Sequence, residues 1–395
     1  MSNQIYQESV EIHRKNIGKL GTIALLPVKN KRDLSLLYTP GVAEPCRVIA
    51  KDKEESFQLT SRGRTVAVIS DGSAVLGLGN IGPEASLPVM EGKALLMKEF
   101  AGIDAVPIAI STQEPKEIIN FIRQIAPSFV GINIEDISAP RCFEIEAATQ
   151  DLGITVFHDD QHGTAIVVTA ALYNAARVVG KKFEDLKVVV VGAGAAGTAI
   201  ALMLLGAEMN QTGCQKVSGV ASVKDLILVD SKGAIHNGRT DLDIYKKDIA
   251  AYSNKEQKSG SLAEIIHGAD VVIGVSRAGL ISQEMVNSMA KDAIVFAMAN
   301  PEPEIMPDLA KAAGAMVVAT GRSDFNNQIN NVLAFPGVFR AVVDGRLPRI
   351  TTKMKHAAAM AIASLVANPT TEKVIPEPFE PNIAKVVSEA ILKAR

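Results

Sequence analysis

Two pairs of adjacent carboxylates, Glu135-Asp136 and Asp159-Asp160, each follow an apolar run in this 395-residue chain. Phe129-Val130-Gly131-Ile132-Asn133-Ile134 precedes the first, and Ile154-Thr155-Val156-Phe157, then His158, precedes the second. Carboxylate oxygens gathered in this way suit a hard divalent cation, Mg²⁺ or Mn²⁺, with positions left for substrate oxygens. Glu135, Asp136 and one of Asp159 or Asp160 would supply the ligands. Neighbours on a regular strand point to opposite faces, so Glu135 and Asp136 can meet one ion only if the backbone turns there. Ser138-Ala139-Pro140 makes such a turn plausible. The competing reading is solvated strand-end acids, or Asp160 as a helix cap. Recurrence of the pair at a second strand end favours the metal. His158 and His162 would suit zinc, but the oxygen-rich set argues for a harder ion.

Two further side chains could move protons. Lys93 lies in Pro88-Val89-Met90-Glu91-Gly92-Lys93-Ala94-Leu95, a helical stretch whose small and apolar residues could bury its ammonium. Burial lowers a lysine pKa and would make it a usable base; a surface lysine is the alternative. Tyr38 stands before Thr39-Pro40-Gly41, a tight bend, and by itself reads first as a half-buried tyrosine anchoring that loop. Ser70-Asp71-Gly72-Ser73 and Leu76-Gly77-Leu78-Gly79 follow the strand Val66-Ala67-Val68-Ile69 and read as a glycine-rich wall of an active site, without phosphate-loop spacing.

Val188-Val189-Val190-Val191 runs into Gly192-Ala193-Gly194-Ala195-Ala196-Gly197 and then a helix start. Strand, GxGxxG and helix together form a dinucleotide fingerprint, with amide N–H groups turned toward a pyrophosphate. Asp230 ends the next strand, at the ribose position. An acid there favours NAD, whereas Ser231 and Lys232 could hold the 2′-phosphate of NADP. Later apolar runs end at Ser276, at Asn300-Pro301 and near Asn326-Asn327-Gln328-Ile329-Asn330-Asn331. Amide side chains suit a substrate carboxylate, and turn formation is the plainer use.

These residues need a scaffold of strands whose carboxyl ends share one edge. Apolar runs alternate with helical stretches, which predicts an α/β protein. The expected fold is a Rossmann-type doubly wound parallel sheet domain plus a smaller N-terminal α/β domain. The length favours two domains, divided at 1–160 and 161–395, with Ala-rich C-terminal helices packing back. Asn210 to Lys224 reads as a polar surface insertion. The uncharged run Val188 to Ala207 is long enough to span a bilayer, but its glycines fit strand, turn and helix better. A formal net charge of −2 gives no footprint for nucleic acid or anionic membrane. Three scattered cysteines and a polar start at Met1 to Leu20 suggest a reducing, cytoplasmic location.

Taken together the motifs resemble malic enzyme, over most of the chain and in the family's order. They are Leu37 to Ala43, Asp71-Gly72 with Leu76 to Gly79, Glu91-Gly92-Lys93, Asn133 to Asp136, Asp159 to Thr164, Asn300-Pro301, and Asn330-Asn331 with Phe335 to Val338. The length and Asp-Gly-Ser-Ala-Val-Leu resemble the short bacterial-type branch. The resemblance implies metal-dependent oxidative decarboxylation of (S)-malate to pyruvate and CO₂, with NADP or alternatively NAD. It implies Tyr38 as general acid, Lys93 as general base, and Glu135, Asp136 and Asp160 as metal ligands. By the same resemblance Asp159 matches a supporting acid, a partner for Lys93. Gly192, Gly194, Ala195, Ala196, Gly197, Asp230, Ser231, Lys232, Ser276 and Asn300 are the cofactor-binding candidates. Ser73, Asn300 and Asn331 are the substrate-binding ones. A homodimer or higher homo-oligomer is expected. The chain departs from the larger eukaryotic enzymes at Ala74-Val75, where those carry an arginine for the substrate carboxylate. Two other classes fit parts of the pattern: a metal-dependent hydroxy-acid dehydrogenase that does not decarboxylate, and a non-catalytic nucleotide sensor.

Overall fold

The computed structural model describes residues 2–210 and 213–395. Its first sheet has four parallel strands, β1 (Thr65–Ser70), β2 (Asp104–Ala109), β3 (Gly131–Ile134) and β4 (Thr155–His158), in the order β2-β1-β3-β4. Alternation along β1 sorts its side chains between two cores. Ala67 and Ile69 join Ile118 and Ile122 of helix Pro115–Ile125 and Cys142 and Ile145 of helix Arg141–Ala147. Val66 and Val68 join Met90 and Met97 of helix Pro83–Ala101. Both faces are therefore covered, as a parallel sheet requires.

The second sheet begins with β5 (Lys187–Val191), followed by the hairpin β6 (Ala207–Asn210) and β7 (Gly213–Lys216) outside it. It continues with β8 (Asp225–Asp230), β9 (Gly233–Ala234), β10 (Val271–Gly274), β11 (Ile294–Ala297) and β12 (Val317–Thr320). The order is β12-β11-β10-β5-β8-β9, parallel except for β9. The chain leaves β5 toward β8 and later returns to β10 on β5's other side. That reversal creates the crevice in which such sheets bind ligands. The fold class is the expected one, α/β with a Rossmann-type sheet and a smaller N-terminal sheet.

One helix ties the two sheets together. Asp159–Val178 starts directly off β4, and its buried residues enter the core shared with β5 and helix Ala195–Leu204. Its Ala/Val-rich sequence reflects burial on nearly all sides. The run Val188 to Ala207 is β5, a glycine turn, helix Ala195–Leu204 and the start of β6. Among the described residues no helix is long and apolar enough to cross a membrane. The expected insertion opens with the strand pair β6–β7; residues 211 and 212 lie outside the described residues.

The C-terminal helices do pack back, and helix Phe335–Gly345 covers the first sheet. Phe339 meets Phe157 of β4 edge-on at 5.8 Å. A Cβ on Gly131 of β3 would stand 3.1 Å from Val342, so glycine admits the helix there. Thr155 donates its hydroxyl to the Leu347 carbonyl at 2.7 Å.

The N-terminal segment behaves differently. Helices Ser2–Asn16, Lys31–Leu37 and Ala43–Lys51 occupy it, yet no residue from 4 to 55 is buried. Ile5, Val10, Ile12, Leu25, Leu26, Leu36 and Tyr38 are all exposed. The first of these helices ends at Asn16, well short of Leu25 and Leu26. The arm touches the body through Lys19, whose N–H donates to Glu91 at 2.9 Å and whose ammonium donates to the Pro88 carbonyl at 2.6 Å.

Candidate active site

The carboxyl ends of β3 and β4 carry the two acidic pairs side by side, because Ile134 and His158 are register partners. The chain turns immediately after β3: Asp136 has φ 52°, in the left-handed region. This is the bend that the adjacent acids Glu135 and Asp136 require to face one point. The turn is fixed from two sides. Asp136 donates its N–H to Asp160 Oδ2 at 2.7 Å, and its carbonyl accepts from Ala74 at 2.9 Å. Ser73, a substrate candidate, instead uses its hydroxyl oxygen to accept Ser138 N–H at 2.9 Å.

The second pair lies on the first turn of helix Asp159–Val178, so Asp160 sits inside the helix and His158 holds the cap position. Acids are stabilised at a helix N-terminus by the macrodipole. Gly163 is needed within the helix because a Cβ there would stand 1.8 Å from Asp159 Oδ1. Asp160 is the outward member, with a third of its side chain exposed (33%), whereas Asp159 is fully buried.

One carboxylate oxygen each from Glu135, Asp136 and Asp160 lies within 4.8 Å of the others. Glu135 Oε1 accepts from Asn133 at 2.6 Å, and its Oε2 is buried with no hydrogen-bond partner among the described residues. Burial pushes the Glu135 carboxyl well above its usual range against the pull of Lys93, and Asp160, Asp159 and Asp136 add to the rise. A buried, like-charged set of hard oxygens with an orphaned acceptor fits a divalent cation, which would relieve both the repulsion and the missing bond.

Lys93, on helix Pro83–Ala101, reaches into this cluster. Its ammonium bonds to Asp159 Oδ2, lies 3.0 Å from Glu135 and sits 4.6 Å from the centre of the Phe335 ring. The helix begins at Pro83, earlier than the sequence suggests, so Lys93 stands three turns in rather than near its start. Burial is present as expected, but its effect is overturned. Desolvation draws the Lys93 pKa down, yet Asp159, Glu135 and Asp160 outweigh it and raise the pKa above the ordinary value.

The cofactor candidates surround the β5/β10 crevice. A Cβ on Gly192 would stand 2.6 Å from the Val275 carbonyl and one on Gly197 1.8 Å from the Gly192 carbonyl, so both glycines are sterically required. Gly194, Ala195 and Ala196 form the turn into helix Ala195–Leu204. Ser276 follows β10, and Glu304, which sequence reasoning missed, accepts the N–H of Ser276 at 2.7 Å and of Ala299 at 3.0 Å. Asn300 joins the halves: a Cβ on Gly77 of the glycine-rich loop would stand 2.3 Å from its carbonyl. Asn331 comes from the other side, its Cβ close to Gly163 in the acid-bearing turn.

Asp230 ends β8 with both oxygens engaged. Oδ1 accepts from Lys232 N–H at 2.9 Å and Arg239 at 2.8 Å; Oδ2 accepts from Arg239 at 3.1 Å and Lys246 at 3.3 Å. Ser231 and Lys232 form the exposed β8–β9 turn, and the Lys232 ammonium pairs with Asp241 at 2.9 Å. Tyr38 is the catalytic candidate left open, 66% exposed on the N-terminal arm.

Sequence reasoning also missed Arg141, Glu146 and Lys355. Arg141 lies 3.4 Å from buried Asp71 and donates to Ser138 at 2.8 Å, bracing the turn after Asp136.

A parallel-sheet nucleotide crevice, together with a lysine set among carboxylates, places the chain in the class of dinucleotide-dependent oxidoreductases. Comparison with known proteins narrows the class. The malic enzyme N-terminal domain profile matches residues 18–150, and the malic enzyme NAD-binding domain profile matches residues 161–393. The bifunctional malic/malolactic enzyme of Bacillus subtilis is 51% identical over 98% of this chain and 92% of its own. The NADP-dependent malic enzyme of Halomonas elongata is 44% identical, covering 100% of this chain and 94% of its own. The crystal structure of the NAD-dependent malic enzyme of Thermotoga maritima superposes with a TM-score of 0.91 at 46% identity, covering 97% of this chain and 98% of that one. The chain belongs to the malic enzyme family.

Proposed function

We propose that this chain oxidatively decarboxylates (S)-malate to pyruvate and CO₂, reducing NADP or alternatively NAD, with Mg²⁺ or Mn²⁺ bound by Glu135, Asp136 and Asp160. Oxaloacetate decarboxylation would accompany it as a partial reaction. The observation that carries this reading is the convergence of those three acids beside the Lys93–Asp159 pair. When bound, the divalent ion supplies Lewis-acid polarisation of substrate oxygens and offsets the charge of Glu135 and Asp160, and the nicotinamide supplies the hydride acceptor. Lys93, oriented by Asp159, would act as the base that takes the proton of the C2 hydroxyl, directly or by relay. Asn331, beside the acid-bearing turn, and Asn300, at the junction of the halves, donate amide hydrogens to the substrate carboxylate. Tyr38 returns a proton to C3 after CO₂ leaves. Malate oxidation with Mn²⁺, run with NADP and with NAD while CO₂ is measured, tests the proposal. Oxidation without CO₂ would point to the non-decarboxylating dehydrogenase.

Asp230 bears on the cofactor. A carboxylate has about four acceptor positions. Here four donor contacts fill them, and Arg239 and Lys246 balance the charge. Little acceptor capacity remains for a free 2′-hydroxyl, which supports NADP over NAD.

The N-terminal arm supports a homodimer. Three helices that bury nothing within their own chain need a covering surface, and a second copy reciprocally packed supplies one. In that arrangement Tyr38 acts beside Lys93 of the second copy. The functional division is placed at 1–160 and 161–395, with helix Phe335–Gly345 completing the first part. Three cysteines without a disulfide are in keeping with the cytoplasm.

A further inference from the structure

Behind the acid-bearing turn runs a half-buried polar chain that the proposed reaction does not use. Lys355, on helix Thr352–Ser364, lies 2.9 Å from His162 Nδ1. His162 Nε2 in turn lies 2.8 and 2.9 Å from the two carboxylate oxygens of Glu146, on helix Arg141–Ala147. An ionised carboxylate only accepts, so Nε2 carries the hydrogen; Nδ1 of the neutral ring then accepts, and Lys355 donates to it. Glu146 also accepts from Gln161 Nε2 at 3.2 Å and from His158 N–H at 3.4 Å. Burial alone would raise the Glu146 carboxyl, but His162 and Lys355 hold it down to about 2.

The donors to Glu146 belong to residues 158, 161 and 162, immediately before and after Asp159 and Asp160. Lys93 and the Asp136 N–H hold that turn from the reaction side. Glu146 holds it from behind. With both restraints in place, the rotation of the first turn about the helix axis is fixed, and so is the place of the Asp160 carboxylate.

We propose that Glu146, backed by His162 and Lys355, is a positioning residue that sets divalent-ion affinity by fixing the turn that carries Asp160. The inference rests on the reading that Glu135, Asp136 and Asp160 hold the ion. Glu146→Gln keeps the shape but sets an amide NH₂ against the N–H donors of His162 and Gln161.

The test is a Mn²⁺ titration of the metal-free full-length protein, with free Mn²⁺ read by electron paramagnetic resonance and folding by circular dichroism. Glu146→Gln should raise the Mn²⁺ Kd by about 10-fold or more, the range seen when partners of metal ligands are lost. At saturating Mn²⁺ its kcat should stay within roughly 3-fold of the unaltered chain, since the groups that touch substrate remain. Glu146→Asp, which keeps the charge, should recover part of the affinity. Lys355→Met, farther from the turn, should raise Kd less than Glu146→Gln and serves if that variant does not fold. An unchanged Kd in folded Glu146→Gln, or in Lys355→Met if it alone folds, would overturn the proposal. Failure of the unaltered chain to bind Mn²⁺ would instead overturn the metal reading beneath it.

Discussion

A single methyl group at residue 163 should disable the site. In Gly163→Ala the new Cβ would lie 1.8 Å from Asp159 Oδ1, 2.8 Å from its Cγ and 3.3 Å from the Asn331 Cβ. Carbon–oxygen contact requires roughly 3.3 Å, so Oδ1 must retreat by about 1.5 Å. The carboxylate is short and its other oxygen bonds to Lys93, so the retreat pulls it off the ammonium. A hydrogen bond between charged groups contributes about 1.5–3 kcal/mol, so kcat/KM should fall about 10- to 150-fold. The fold should survive, because alanine is favoured over glycine in a helix by up to about 1 kcal/mol. Steady-state malate oxidation with saturating Mn²⁺ measures the first effect and thermal melting the second. A folded Gly163→Ala enzyme with kcat/KM within about 2-fold of the unaltered chain would refute the argument that Asp159 is pinned between Gly163 and Lys93.

Mixing inactive Tyr38→Phe with inactive Lys93→Ala under subunit exchange should restore about a quarter of full activity, because half the dimers are mixed and each contains one intact site. No recovery despite proven exchange would place Tyr38 and Lys93 of the same chain together. Asp230→Asn should change kcat/KM for NAD and NADP by similar factors, since its acceptor positions are already filled; selective loss of NAD use would restore it as a ribose ligand. Burial lowers the His356 pKa to about 4, and Nε2 hydrogen-bonds to the Met203 carbonyl at 3.1 Å. The unfolded chain therefore binds the extra proton first as pH falls below about 6.5, so this contribution is intact above that value and is lost toward pH 4. The His356→Asn variant should show a shallower fall in melting temperature across that window; an equally steep fall would remove His356 as the cause.

The acids, the glycine turn and Asn300 were legible because each follows an apolar strand. β3 stops before Glu135 and Asp136, β5 before the glycine turn, and β11 before Asn300, so composition alone marks both strand and site. The start of helix Asp159–Val178 was not legible. Gly163 reads as a break, whereas in three dimensions it makes room for a carboxylate folding back over its own turn. The direction of the Lys93 shift was hidden for a similar reason: burial can be inferred locally, but Asp159 is 66 positions away. Lys355 stands in an alanine-rich helix 193 positions from His162, and nothing near it signals a partner. The bare arm was not legible either, because sequence spacing does not reveal that an apolar face lacks a cover.

The central claim is that acids from two strand ends converge on one ion. An anomalous difference map from crystals grown with Mn²⁺ tests it directly. One peak per chain is expected, roughly 2.1 Å from an oxygen of each of Glu135, Asp136 and Asp160. A peak held by other residues, or none at saturating Mn²⁺, would contradict the account.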